Sequence, residues 1–311
     1  VKNTVRIGTR KSKLAMVQTN SIIKMLAQIA PELNFEIIPI STLGDEILDK
    51  PLIQFGGKGV FVDAFEEALL SGKIDLAVHS AKDMTMQLPE GLGIIGIPKR
   101  EDPRDVLVTF DKELTDSMKA VIGTSSLRRQ FQIEQYYQAE CKNLRGNVPT
   151  RLEKLKNGEY DGIILAAAGL KRLGLMEEKQ LHYRIFSPEE FVPAAGQGIL
   201  AVEGRLHDEL SEIVAGINDK ETAISLKAER RVLERLNAGC HEAIGVYSEV
   251  NKDLIRIDAV YKKGDKTLRV KEEAFTGDYL KAADRTADKL LDCVCTAHTD
   301  LICTKSSAKM R

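Results

Sequence analysis

Neither sign of charge is in excess in this 311-residue chain, where 45 basic residues face 46 acidic ones. A balance this close argues against a basic coat for nucleic acid, so any cluster of arginines is a local feature of a neutral protein. Long apolar runs are missing too. None reaches the roughly 18 residues that a membrane span requires, and the opening VKNTVRIGTR leads into a strand with no signal-like apolar region. The expectation is a cytoplasmic protein with neither nucleic acid nor membrane as a partner. Cysteine is sparse and odd in number: Cys141, Cys240, Cys293, Cys295 and Cys303. Free thiols follow, not a disulfide framework. Cys293, Cys295, His298 and Cys303 lie close together, but the run ADRTADKLLDCVCTAHTDL has helical periodicity. On a helix Cys293 and Cys295 point apart, a poor arrangement for two ligands of one ion, and no metal is expected.

What is abundant is arginine within one stretch. From Gly123 to Arg151 the chain reads GTSSLRRQ and then LRGNVPTR, bringing Arg128, Arg129, Arg145 and Arg151 close in sequence. An apolar approach (Ala120, Val121, Ile122) reads as a strand, and Thr124, Ser125 and Ser126 read as the cap of the helix that follows. Guanidinium groups match carboxylates in two-point contact, so the pattern suits a small ligand with several carboxylates. One Arg-Arg pair alone reads better as a capped surface helix with solvated arginines. The repeat at LRGNVPTR favours the ligand, and removal of any one arginine is then expected to leave the fold nearly intact.

The 43% apolar content is sufficient for ordinary globular cores in about two or three domains. Strand-like and helix-like segments alternate through two-thirds of the chain, the signal for α/β folding around mostly parallel sheets. Strands are expected at Thr4 to Gly8, Phe35 to Ile40, Ile74 to Val78, Val106 to Thr109, Ala120 to Ile122, Gly162 to Leu165 and Ile199 to Val202. Helices are expected after Ser12, from Phe61 to Leu70, and over 125–138 and 148–157. Leu43 to Gly59, with GGKG around Lys58, reads as a mobile loop able to cover a cleft. IPKREDPR marks one boundary, and FVPAAGQG a second crossing between units. The last third reads as helix 221–236, strands Ala243 to Val250, Leu254 to Tyr261 and Thr267 to Phe275, and a final helix. That order suggests a small α+β domain with an antiparallel sheet.

Two further places hold reactive groups. The strand Ile74 to Val78 ends in HSAKD, putting His79, Ser80, Lys82 and Asp83 where α/β proteins place active groups. Asp83 reads as a general acid/base or the holder of a developing cation, against the alternative of an exposed Lys82/Asp83 charge pair. Cys240 sits at a helix-to-strand turn, NAGCHEAIG, with Gly239 allowing close backbone approach. It is either an inert packing residue or a nucleophile beside a cleft.

Taken in order, RIGTRKSKLA, GGKGVFV, AVHSAKD, GTSSLRRQ, LRGNVPTRL, LAAAGLKRLG, PAAGQG and the late glycine-cysteine turn resemble the hydroxymethylbilane synthase (porphobilinogen deaminase) family over essentially the whole chain. The resemblance implies a tetrapyrrole-pathway transferase, which condenses four porphobilinogen molecules head to tail with loss of ammonia and releases linear hydroxymethylbilane. It also implies two periplasmic-binding-protein-like α/β domains forming a hinged cleft, plus a small C-terminal α+β domain. The corresponding spans are 1–98 with 199–217, 103–194 and 220–311, and the expected state is a monomer. A covalent dipyrromethane cofactor would be attached through Cys240, and Asp83 would be the catalytic carboxylate. Ser80, Lys82, Thr124, Ser126, Arg128, Arg129, Arg145 and Gly146 would hold the cofactor. Arg10, Ser12, Arg145, Arg151, Arg172 and Gln197 would hold substrate, with Lys58 on the mobile loop. In that chemistry loss of ammonia leaves a methylene-pyrrole electrophile, which an aspartate stabilises and a thiolate traps. Arginines neutralise accumulating carboxylates without titrating. Three departures touch loop geometry: Met84 and Thr85 where proline usually follows the KD pair, Ala243 for a proline after the cysteine, and Pro149 in the LRGN turn. The alternative is a two-lobed binding or effector-sensing module with no chemistry, which leaves Asp83, Cys240 and the third domain unexplained.

Overall fold

The computed structural model describes residues 3–41, 63–111, 113–114, 119–239 and 242–295. Three sheets account for the architecture. The first holds β1 (Thr4–Arg10), β2 (Asn34–Ile40), β3 (Leu76–Ser80), β4 (Leu92–Gly96) and, from much later in the chain, β10 (Leu200–Arg205). Its order is β2-β1-β3-β10-β4, with β1 parallel to β2 and β3, and β10 antiparallel to its neighbours. The second sheet repeats this plan with β5 (Asp105–Phe110), β6 (Ala120–Gly123), β7 (Ala139–Lys142), β8 (Gly162–Ala166) and β9 (Leu181–Ile185), in the order β7-β6-β8-β5-β9. Here β6 is parallel to β7 and β8, and β5 is antiparallel to β8 and β9. Each sheet is therefore a parallel trio joined to a fifth strand through an antiparallel strand that arrives from the other unit, a mixture that simple alternation does not reveal.

The flanking helices are α1 (Lys13–Ile29), α2 (Asp63–Leu70), α3 (Leu127–Ile133), α4 (Val148–Lys156), α5 (Ala167–Arg172) and α6 (Glu209–Ala215). Ser12 caps α1 as expected, its Oγ accepting from Ala15 N at 3.2 Å. Asn147 caps α4 in the same way, which places Pro149 in the first turn. Backbone N–H groups there have no helical partner, so Pro149 costs the helix nothing. Helix α3 is shorter than the expected 125–138. After Ile133 the chain tightens into turns, with Tyr136 and Tyr137 both donating back to Ile133 O, to feed β7. β3 lies two residues later than expected, because β10 pairs with it through Ser80 and His79. His79 is thus an interior strand residue, its Nε2 2.9 Å from Glu203 Oε2, and not part of the loop at the strand end.

The third sheet is the expected antiparallel meander of β11 (Ile244–Asn251), β12 (Leu254–Lys263) and β13 (Lys266–Phe275). Helices α7 (Lys220–Arg235) and α8 (Tyr279–Cys295) cover one face, burying Ala228, Val232, Ala283, Ala287 and Leu290 against Val246, Ile255, Ile257 and Ala259. Cys293 and Cys295 fall on α8, as the periodicity predicts. His298 and Cys303 lie outside the described residues. Ala243 joins Tyr247 in packing on Phe131, Val192 and Val260, so the third domain meets the second through an apolar seam.

The segments that cross between the first two units are held to each other closely. Glu101 N donates to Gly198 O at 3.2 Å, and Gln197 Nε2 to Pro103 O at 2.7 Å. Gly198 has φ of +86°, and a Cβ there would stand 2.3 Å from Glu101 O. Only glycine meets both demands.

Candidate active site

The parallel strands of the two sheets end in the residues singled out from the sequence. Arg10 closes β1, with Ser12 following. Ser80 closes β3, and a 3₁₀ turn of Ala81–Asp83 carries Lys82 and Asp83 beyond it. In the second unit Thr124 and Ser126 follow β6, Arg145, Gly146 and Arg151 follow β7, and Arg172 ends α5 after β8. Strand ends of this kind are where open α/β sheets bind ligands. Cys240 and Lys58 lie outside the described residues, α7 and Gly239 leading directly to the former.

Asp83 is exposed, and among the described residues its carboxylate takes no hydrogen bond. Its charge nevertheless reaches Lys82, Arg129 and Arg151, so residues from both sheets share one electrostatic neighbourhood. Burial pushes the Lys82 ammonium down to about 8; Asp83 and Asp105 oppose this, while Arg129 and Arg128 reinforce it. Lys82 Nζ lies 3.4 Å from Gln197 Oε1, a contact that ties the Ala81–Asp83 turn to the buried Gln197. Arg151 is pushed down to about 10 by burial, then by Arg129 and Arg145, with Asp83 pulling the other way. Its Nε donates to Gly146 O at 2.7 Å, and Gly146 at φ +112° turns that carbonyl toward it. Burial likewise lowers Arg172, whose Nη2 donates to Gly198 O at 2.8 Å. Half-buried Arg145 makes no hydrogen bond among the described residues. The cations are desolvated and crowd one another, an arrangement that bound carboxylates relieve.

Arg128 and Arg129 are also engaged within the protein. They are 3% and 7% exposed, and both grip Asp105, itself 0% exposed at the start of β5. Arg128 Nη1 lies 2.6 Å from Asp105 Oδ2 and 2.9 Å from Val192 O. Arg129 Nε lies 2.9 Å from Asp105 Oδ1, and its Nη1 2.8 Å from Ile164 O. Burial would raise the Asp105 carboxyl, but the two guanidinium groups hold it down at about 2. Two cations share one anion, leaving net positive charge behind the Lys82 turn. Removing either arginine is therefore not structurally neutral. Arg128→Leu is expected to cost about 1–3 kcal/mol, against less than about 0.5 kcal/mol for Arg145→Leu, as read by urea unfolding.

Thr124 is buried, its Oγ1 accepting from Ser126 N at 3.2 Å. Ser126 heads α3 without using its side chain as a cap, and Ser80 is similar ahead of its turn. Ser125, not Ser126, ties the two arginine loops together, donating to Leu144 O at 2.7 Å. The donor set of cations and hydroxyls fits a cofactor made of carboxylate-bearing pyrroles.

Sequence reading missed Asp105, Arg100 and Glu229. Glu229 on α7 is 0% exposed and accepts from Arg100 Nη1 (2.7 Å), Gly196 N (2.6 Å), Ser248 N (2.7 Å) and Ser248 Oγ (3.0 Å). A signal existed, since Glu229 falls on the face of Thr222, Ser225, Leu226 and Val232, a charge at a core position.

Among solved structures, the effector binding domain of BenM with benzoate covers 70% of this chain and 96% of that one, at 15% identity and TM-score 0.43. The Bordetella pertussis BvgS periplasmic VFT2 domain covers 69% and 86%, at 14% and 0.42. Sequence comparison is far stronger. The chain is 46% identical over 275 residues to the porphobilinogen deaminase of Alkaliphilus metalliredigens, covering 87% of this chain and 86% of the relative. It is 44% identical over 266 residues to that of Streptococcus sanguinis, covering 84% and 87%. Residues 5–212 match the family model of the porphobilinogen deaminase dipyrromethane cofactor binding domain, and 223–291 that of the C-terminal domain. The chain belongs to the porphobilinogen deaminase (hydroxymethylbilane synthase) family of transferases, whose cofactor is dipyrromethane.

Proposed function

We propose that Asp83 is the catalytic carboxylate of this enzyme and that Cys240 carries the dipyrromethane. The observation that carries the reading is the shared neighbourhood of Lys82, Asp83, Arg129 and Arg151 at strand ends of both sheets. The dipyrromethane, when bound, supplies the pyrrole to which porphobilinogen is joined. Lys82, Arg145 and Arg151 hold carboxylates of cofactor and substrate, Thr124, Ser126 and Ser80 contribute hydroxyls, and Arg10, Ser12, Arg172 and Gln197 border the substrate end. Asp83 gives a proton to the departing amine, faces the positive charge that its loss leaves, and takes up the proton released later. A carboxylate that takes no hydrogen bond among the described residues is placed to make that exchange. Intact-mass measurement of the active protein tests the attachment: two linked pyrroles above the sequence mass are expected, and an unmodified mass in active protein overturns it.

Lys82 gives the site a pH dependence. Its ammonium is cationic below about pH 8 and neutral above it. The attraction for substrate carboxylates is thus present at low pH and lost as pH rises through about 8. Accordingly kcat/KM, which reports groups of the free enzyme, is expected to fall there, and Lys82→Arg to move the fall upward. A pH–rate profile unchanged by that substitution counts against the assignment. The reading also takes domain limits of 1–98 with 199–217, 103–194 and 220–311, and a cytoplasmic monomer; sedimentation equilibrium checks the last.

A further inference from the structure

Helix α7 presents two residues one turn apart, Leu226 and Arg230, to the segment that follows Asp83. Leu226, 1% exposed, packs in one cluster with Met84, Ile97 and Ile199. Arg230 Nη2 donates to Thr85 O at 2.6 Å and to Met86 O at 3.0 Å. The 3₁₀ turn ends in a long bond, Met84 N to Ala81 O at 3.3 Å, and Thr85 Oγ1 donates onward to Gln87 O at 2.9 Å. On the other side, Glu229 binds Gly196 N, and Gly196 lies so close that a Cβ would be 3.0 Å from Lys82 N. The helix that leads to Gly239 thus holds the chain just beyond the Lys82–Asp83 turn directly and reaches Lys82 through Gly196.

We infer that Arg230 is a positioning residue for the Asp83 carboxylate. The Asp83 side chain has no hydrogen bond of its own among the described residues, so its location is set by the backbone of the turn. The turn is anchored at its start by Ala81 N, which donates to Ile199 O at 2.9 Å, and the chain two and three residues beyond Asp83 is held by two charge-assisted bonds from a side chain of the third domain, stronger than neutral ones. A displacement of about 1 Å at a reacting group can cost about 10²-fold in rate. The inference rests on the reading of Asp83 as the catalytic carboxylate, and its test separates the two.

The experiment uses full-length enzyme whose mass shows the cofactor in place, at a temperature where circular dichroism shows every variant folded. Porphobilinogen consumption is measured for Arg230→Met, Arg230→Lys and, in parallel, Asp83→Asn. Arg230→Met is expected to lower kcat about ten- to hundredfold while KM changes less than about threefold. Arg230→Lys, which keeps a cationic donor, is expected to recover most of the loss. The inference is overturned if Arg230→Met keeps kcat within about twofold, if the loss is carried by KM alone, or if lysine is no better than methionine. Should the methionine variant not fold, Arg230→Gln is read by the same criteria. An Asp83→Asn variant within tenfold of the unmodified enzyme removes the reading of Asp83 itself, whatever the Arg230 variants do.

Discussion

Asp83→Asn is expected to give a folded, cofactor-bearing protein that consumes porphobilinogen at least about 10² to 10⁴-fold more slowly than the unmodified enzyme. Folding is spared because the carboxylate is exposed and supports no other group by a hydrogen bond among the described residues. Asparagine keeps the shape but can neither give nor take the proton, nor oppose a positive charge. Both contributions vanish together, and the electrostatic one alone is worth several kcal/mol in comparable sites. Asp83→Glu retains the chemistry and moves it by a methylene, so it should keep more activity than asparagine. The rates of both variants, compared after cofactor content has been checked by mass, decide the matter. An asparagine variant within tenfold of the parent means that Asp83 is only half of a charge pair with Lys82.

The largest loss of stability is expected at Glu229. Its two oxygens receive Arg100 and Gly196 from the crossing segments and Ser248 from β11, all away from water. Glu229→Ala strands the Arg100 guanidinium, whose face also lies over the Tyr247 ring at 5.0 Å, and leaves two backbone donors unmatched. Breaking a buried pair in this way costs about 3–5 kcal/mol. Glutamine is a poor substitute, since its amide N–H groups would face donors. Removing both charges, as in Arg100→Met with Glu229→Met, should cost less than the sum of the single changes, the mark of direct coupling. Urea unfolding followed by circular dichroism and by tyrosine fluorescence reads both outcomes; additive losses would show that the pair does not act as a unit. A gap between the two probes in the single variants would show the third domain parting from the rest before the whole unfolds.

Much of the fold is legible because its central strands are apolar runs of four to six residues between turn signals, as at Val106 and Gly162. The edge strands β4, β7 and β9 are not, although the edge strands β2, β11 and β13 are. β7 reads AECK and β9 LHYRI, half polar because one side faces water, and β4 is a short LGIIG flanked by glycine and proline. Of the site, chemistry-bearing residues at strand ends are readable from turn chemistry and charge. Ion pairing is not, because the partners are remote. Asp105 lies 23 residues from Arg128, and Arg100 lies 129 from Glu229. Nothing local distinguishes an arginine that makes no hydrogen bond among the described residues, such as Arg145, from one engaged by a buried carboxylate, such as Arg128. The departures from the family pattern resolve locally: Pro149 falls in a first helical turn, and Thr85 supplies a hydrogen bond where proline would supply stiffness.

The placement of β10 bears on the order in which a ribosome-bound chain can fold. β10 is the inner strand between β3 and β4, with Leu200 paired to Ser80 and Val202 buried at 0% exposure. Until residue 205 has emerged, the first sheet lacks an inner strand and β4 has no partner in it. The second sheet, by contrast, is complete once β9 ends at Ile185. Domains generally fold as units as synthesis proceeds. A stalled chain ending soon after Ile185 should therefore carry a protease-resistant core from the middle of the sequence, while the N-terminal strands, though made first, stay open to cleavage.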